Sequence, residues 1–168
     1  PPKTLEELEA AAKKLHNPPS VYGYVARGRK TQAPYTWSHW LYANGGSWLT
    51  PDGKPGINTP AAIAATQQYV RLLRTYGDPG VTDNGPMEVQ THFLQGRAAM
   101  ILDASSWGGI FSDPQKSKVA GKWEGALAPS GPAGVTYELW AWSMALSPFS
   151  EKQKAAWLFI QWATSKEI

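Results

Sequence analysis

The sequence predicts an α/β domain in which helices flank a central sheet. Segments with apolar residues at helical spacing alternate with short apolar runs, and the run at 98–102 is continuously apolar, as in a strand covered on both faces. A chain of 168 residues, 42% of them hydrophobic, is long enough to build one sizeable core. We therefore expect one α/β domain over residues 1–168.

The helices are predicted from capping residues and from apolar residues three or four positions apart. Thr4 is a good N-cap with Glu7 three residues later, and Pro60 favours the first turn of a long helix. The predicted helices cover residues 4–16, 35–44, from Asn58 or Thr59 to Gly77, 87–94 and 104–111. A last helix is expected to bury one apolar side, made of Ala155, Ala156, Leu158, Phe159, Trp162 and Ala163.

Four short apolar or β-rich runs are the predicted strands of the central sheet. They cover residues 21–26, 98–102, 123–128 and 139–146. Because ligands in layered α/β folds bind at the carboxyl ends of strands, functional residues are expected at three places. These are Asp103, the loop after Ala26 and the loop before Leu139.

Composition excludes several classes of function. The net charge of +3 is spread along the chain without a basic run, so nucleic-acid binding is not expected. The absence of cysteine excludes disulfides and thiolate chemistry. No cofactor-binding glycine motif is present, and we expect no cofactor. The chain opens at a helix cap and stops within a helix, without a signal peptide, so we expect it to be a fragment of a longer protein.

Catalytic residues are not indicated by any motif. His16, His39 and His92 lie in different elements, and no serine stands in a nucleophile elbow. Asp103 and Glu138 can form the carboxylate pair of a glycoside hydrolase if the fold brings them face to face. We expect no enzyme activity, and a glycoside-processing fragment stays as an alternative.

The aromatic content points to a carbohydrate ligand. The chain has nine Trp and seven Tyr, and aromatic residues stand beside charged ones in three places. These are Arg27 with Tyr35, Trp37 and Trp40, then Asp103 with Trp107, and the segment Tyr137, Glu138, Leu139, Trp140, Ala141 and Trp142. Sugars present apolar C–H faces and a rim of hydroxyls, which suit flat aromatic surfaces and charged hydrogen-bonding groups.

Trp140 and Trp142 share one face of their predicted strand because side chains alternate along a strand. That face is either a platform for the ligand or a buried stripe of the core. A non-transport carbohydrate-binding module is a further alternative, although such modules are usually all-β.

An ordered set of segments resembles the carbohydrate-uptake type of ABC-transporter solute-binding protein. The segments are Pro2 to Leu8, Tyr22-Gly23, Gly45-Gly46, Asp52-Gly53-Lys54, Asn58-Thr59-Pro60, Phe93 to Met100 and Ala155 to Glu167. Three others, Ile101 to Ala104, Asp113 to Val119 and Leu139 to Ser143, are most similar to the sorbitol and mannitol branch.

The resemblance implies one lobe of a two-lobed periplasmic binding protein, with the N-terminal lobe of the same protein missing. It implies a sugar or sugar alcohol as ligand, an ABC-transporter permease as partner and a periplasmic or extracellular location in a bacterium. It places ligand contacts at Arg27, Trp37, Asp103, Trp107, Trp140 and Trp142, and adds Tyr35 and Tyr137.

Overall fold

The computed structural model of the chain describes residues 1–166 and divides into two units, Pro1–Glu138 and Leu139–Ile168. The helices of the first unit are α1 (Leu5–Leu15), α2 (Ala33–Ala43), α3 (Pro60–Tyr76), α4 (Pro86–Leu94) and α5 (Gly108–Ser112). Short 3₁₀ turns cover Val81–Asp83 and Ser105–Trp107. The second unit contains α6 (Gln153–Ala163).

The capping residues in the sequence correctly predict where α1 and α3 begin. The Thr4 side chain accepts a hydrogen bond from the Glu7 backbone N–H at 3.1 Å and so caps α1. Thr59 caps α3 in the same way through the Ala62 backbone N–H, and Pro60 occupies the first turn. The predictions of these helices are confirmed.

The layer between the helices is made of two parallel segments, 22–26 and 98–102. Parallel bridges join Tyr22 to Ala98 and Val25 to Ile101. The Val25 N–H donates to the Met100 carbonyl at 3.1 Å, and the Ala99 N–H donates to the Tyr22 carbonyl at 2.9 Å. The two segments therefore run in the same direction, side by side.

Side chains alternate across this layer over residues 24–26 and 100–102, and each face packs against a different set of helices. One face joins the main core, together with buried residues of α1, α2 and α3. Its members from the two segments are Tyr24, Ala26, Met100 and Leu102. Val25 and Ile101 point the other way, into a smaller core with Val89 of α4. Helices thus lie on both faces, as expected of an α/β domain.

The regular central sheet that we predicted is not formed among the described residues. Pairing there consists of isolated bridges, and residues 123–128 and 139–146 take part in none of them. A strand is stable only beside a partner strand, so an apolar run without a neighbour does not become one. The predictions of strands at 123–128 and 139–146 are therefore wrong.

The prediction that α6 buries one apolar side is also wrong. Leu158 is 65% exposed, Phe159 is 55% exposed and Trp162 is 57% exposed. The short unit has too little chain to cover an apolar helix, which explains why the hydrophobic pattern does not translate into burial.

Candidate ligand-binding site

Arg27 and Asp103 meet because each directly follows one of the two parallel segments. Segment 22–26 ends at Ala26 and segment 98–102 ends at Leu102, so both charged residues leave the layer at its carboxyl edge. Ligands in α/β folds bind at this edge. The sequence predicted functional residues at both positions, and the structure brings the two side chains together.

The two side chains form a bidentate ion pair. Arg27 Nε donates to Asp103 Oδ2 at 2.8 Å, and Arg27 Nη2 donates to Asp103 Oδ1. The Asp103 side chain is only 2% exposed, whereas that of Arg27 is 15% exposed. Asp103 Oδ1 also accepts from the Ala104 N–H at 2.7 Å. The carboxylate is thus buried and well satisfied, and the guanidinium keeps contact with solvent.

Two aromatic rings accompany the guanidinium. The Arg27 Cζ atom lies 5.8 Å from the centre of the Tyr35 ring and 5.9 Å from that of Trp107. Both distances lie within the range in which an aromatic face attracts a cation. Tyr35 is exposed and Trp107 is half-buried. The arrangement presents a cation and two flat apolar surfaces to solvent at one place.

A buried relay fixes the backbone of Arg27. The Tyr69 hydroxyl of α3 donates to the Arg27 carbonyl at 2.8 Å, and lies 2.6 Å from the Thr36 hydroxyl of α2. Because the single phenol proton is donated to the Arg27 carbonyl, the Thr36 hydroxyl donates to the Tyr69 oxygen. Burial raises the pKa of Tyr69, so the phenol keeps the proton that it donates.

Gly28 allows the loop after Arg27 to approach the Val81–Asp83 turn. A Cβ atom at residue 28 would lie 2.1 Å from the Val81 carbonyl oxygen, which no side chain tolerates. The Gly28 N–H donates to the Asn84 carbonyl at 3.0 Å. Gln32 completes the surroundings of Arg27, because its Oε1 accepts from Arg27 Nη1 at 3.2 Å.

Trp107 is held by an aromatic cluster. Its ring packs edge-on against Phe111 with centroids 6.1 Å apart, and Phe111 in turn contacts Phe93 at 4.6 Å and Trp123 at 5.6 Å. Asp103, Phe93, Phe111 and Trp123 line an open groove of about 490 Å³. The indole of Trp107 is therefore positioned by packing against other rings.

Glu138 belongs to the same electrostatic environment. Partial burial raises the pKa of its carboxyl, the Ser38 hydroxyl and the charge of Arg27 lower it, and the charge of Asp103 raises it again. From the sequence, Glu138 was noted in the aromatic and charged segment 137–142 and as a possible partner of Asp103 in hydrolysis, but it was not among the predicted binding residues. The aromatic neighbours of Glu138 in the sequence were the signal that pointed to it.

The other four predicted site residues have the following surroundings, Trp37 and Tyr137 in the first unit and Trp140 and Trp142 in the second. Trp37 packs edge-on against Trp48, with centroids 5.2 Å apart, and against the main core. Tyr137 is 63% exposed at the end of the first unit. Trp140 and Trp142 belong to the second unit, where their rings contact each other at 6.1 Å. Their roles in binding stay predictions.

Sequence reasoning missed the residues that position Arg27 from a distance. Tyr69 was expected only as a helix residue, and Gln32 was not singled out. Tyr69 lies 42 residues from its partner Arg27, and no local pattern signals a hydrogen bond across that separation.

Residues 1–166 contain no group of three or more His, Asp or Glu side chains arranged to hold a metal ion. Over the same residues, no helix combines the length and the apolar character needed to span a membrane.

Comparison with known proteins identifies the family. The sequence profile of the bacterial extracellular solute-binding proteins matches residues 2–168. The chain belongs to this family. The resemblance noted in the sequence is thus confirmed over nearly the whole chain.

Solved solute-binding proteins share the fold. A binding protein of Agrobacterium radiobacter K84, solved in complex with ribitol, is 37% identical and superposes with a TM-score of 0.92 over 100% of this chain and 43% of its own. One from Agrobacterium vitis S4 with bound D-mannitol is 32% identical, with a TM-score of 0.89 over 99% of this chain and 41% of its own. The expected fold, part of a two-lobed periplasmic binding protein, is confirmed.

Among curated relatives, the mannitol-binding protein of Pseudomonas aeruginosa is 31% identical over 168 residues, which is 97% of this chain and 38% of the relative. The chain therefore spans about two fifths of the length of the solute-binding proteins that it matches.

Proposed function

We propose that the chain is part of the substrate-binding component of an ABC importer and that it binds a sugar alcohol or sugar. One observation carries the proposal. The Arg27–Asp103 pair stands at the carboxyl edge of the parallel layer beside Tyr35 and Trp107, in a chain 37% identical to a protein solved with ribitol.

The geometry assigns different tasks to the two charged residues. A guanidinium has five N–H donors. Two donate to Asp103 and one to Gln32, which leaves one on Nη1 and one on Nη2. These two neighbouring donors match the oxygen atoms of two adjacent ligand hydroxyls. Arg27 is therefore the proposed contact, and buried Asp103 mainly orients it.

Aromatic surfaces supply the second half of recognition. The C–H faces of a polyol lose water when they lie against an indole or phenol ring, and this apolar contact is favourable. Trp107 and Tyr35 take this role beside Arg27. Trp37, Tyr137, Trp140 and Trp142 are proposed as further aromatic contacts on the strength of their sequence pattern.

A second lobe is proposed to close over this face. Binding proteins of this type close by a hinge motion between two lobes, and enclosure normally buries roughly 70–90% of a small ligand. The relatives are more than twice as long as this chain, which supports a longer protein with the N-terminal lobe. We propose the transporter permease as the partner, and the bacterial periplasm or cell exterior as the location.

Binding without catalysis is the favoured role. Both oxygens of Asp103 accept hydrogen bonds from Arg27, which suits a structural carboxylate better than one that transfers a proton to a glycosidic oxygen. This favours a transport protein over the glycoside-processing alternative. The layer with helices on both faces likewise speaks against an all-β carbohydrate-binding module.

Calorimetric titration of the full-length protein tests the proposal. Ribitol, mannitol, erythritol and maltose are added separately, and NMR of the recovered ligands monitors chemical change. We expect saturable binding of at least one polyol, with every ligand recovered intact. Asp103→Asn should weaken binding, whereas the exposed control Asp83→Asn should not. Absence of polyol binding, or turnover of a glycoside that Asp103→Asn abolishes, contradicts the proposal.

A further inference from the structure

The path of residues 129–138 brings Glu138 near Arg27 and Asp103. His39 of α2 holds this stretch at two points, since its Nε2 lies 2.9 Å from the Pro129 carbonyl and its Nδ1 lies 3.2 Å from the Thr136 hydroxyl. Between them the chain turns, and the Ala133 N–H donates to the Ala43 carbonyl at 2.9 Å. After the turn, the chain runs from Ala43, the last residue of α2, back to His39 in the middle of that helix.

Glu138 lies two residues beyond the second anchor. Its carboxyl interacts with Ser38 of α2 and with the charges of Arg27 and Asp103. The residue is exposed, yet neighbouring protein atoms exclude part of its water. It therefore adds a second carboxylate to a face that holds one guanidinium.

The ligand needs an acceptor that Asp103 does not provide. A hydroxyl oxygen that accepts from Arg27 still carries a proton, and an unpaired donor in a desolvated site weakens binding. Asp103 Oδ1 already accepts from Arg27 and Ala104, and Oδ2 accepts from Arg27. Little capacity remains on this carboxylate, which is almost entirely buried.

We propose that Glu138 accepts the hydroxyl protons of the bound ligand and makes the site select neutral polyols over the corresponding sugar acids. This inference rests on the proposed function, because it concerns the same site. An aldonate replaces a terminal CH₂OH by a carboxylate. Near Glu138 and Asp103 that negative charge meets two carboxylates and one guanidinium, whereas a neutral polyol meets only donors and acceptors.

The experiment compares ribitol with ribonate, its acid counterpart, by calorimetry on the full-length protein. Wild type is measured beside Glu138→Gln, Glu138→Asp and the exposed control Glu6→Gln. We expect wild type and Glu6→Gln to bind ribitol at least tenfold more tightly than ribonate. Because the amide oxygen of Gln still accepts a hydrogen bond but lacks the charge that strengthens it, Glu138→Gln should weaken ribitol binding by roughly threefold to tenfold. Ribonate binding should weaken less, so that the preference for ribitol over ribonate becomes smaller.

The outcomes separate the two hypotheses. Wild type that binds neither compound, nor any other polyol, overturns the proposed function and this inference with it. Wild type that binds ribitol, with Glu138→Gln unchanged in affinity and preference, leaves the proposed function standing and overturns the role of Glu138. Glu138→Asp retains the negative charge and should still reject ribonate, and a loss of that rejection also overturns the inference. Circular dichroism verifies that each variant is folded.

Discussion

Replacing Asp103 with asparagine removes the charge that compensates the Arg27 guanidinium while keeping the shape of the side chain. The Asp103 side chain is 2% exposed and that of Arg27 is 15% exposed, so the pair is largely withdrawn from water. Breaking a buried ion pair by removing one partner costs about 3–5 kcal/mol. Because Arg27 keeps some contact with water, we expect a loss of stability at the lower end of this range, about 3 kcal/mol. For a chain of this size that corresponds to a fall in Tm of roughly 6–12 °C.

Thermal unfolding of the chain followed by near-ultraviolet circular dichroism measures this fall. The control is Asp52→Asn, because Asp52 pairs with Lys54 at an exposed site and should contribute no measurable change in Tm. The double variant Arg27→Met/Asp103→Leu should recover part of the loss, since no buried charge is left unpaired. A fall below about 2 °C for Asp103→Asn, or a double variant no more stable than Asp103→Asn, would show that an unpaired Arg27 charge is not the cause of the loss.

Four further outcomes follow from the structure. Tyr69→Phe leaves the Arg27 carbonyl without its donor and should cost about 1–3 kcal/mol in urea unfolding; an unchanged midpoint would show that the relay is unimportant. Gly28→Ala forces a Cβ against the Val81 carbonyl and should cost about 1–3 kcal/mol, and equal stability would contradict that close approach. Burial lowers the pKa of His39, so its contribution to stability is present above the unfolded pKa of about 6.5 and is lost as pH falls through the folded pKa. His39→Gln should therefore reduce the stability difference between pH 8 and pH 5, and an unaltered difference argues against this role. Finally, if the full-length protein binds a polyol at about 1 μM, the 168-residue chain alone should bind beyond about 1 mM in a fluorescence titration, because it offers one wall of the site. Micromolar binding by the chain alone would exclude the need for a second lobe.

The helices of the first unit were predictable because their signals are local. The caps Thr4 and Thr59 and the apolar spacing that follows each lie within one or two turns of the backbone they control. The run at 139–146 shows the opposite case. Its apolar alternation is equally clear, but a strand also needs a partner, which the described residues do not supply.

The candidate site was predictable where it depends on topology. Arg27 and Asp103 follow apolar segments, and parallel pairing of those segments necessarily brings their carboxyl ends together. The sequence does not reveal that both oxygens of Asp103 accept hydrogen bonds from Arg27. It also does not reveal that the turn held by His39 brings Glu138 near this pair. These facts depend on hydrogen bonds between residues far apart in the chain.

A crystal structure of the full-length protein with bound ribitol would show whether Arg27 and Trp107 hold the ligand. We expect two ligand hydroxyl oxygens within hydrogen-bonding distance of Arg27 Nη1 and Nη2, and ligand carbon atoms against the Trp107 ring. Asp103 should keep its bidentate pair with Arg27 in that complex. Ribitol bound elsewhere, with solvent alone at Arg27 and Trp107, would contradict the proposed roles of these two residues.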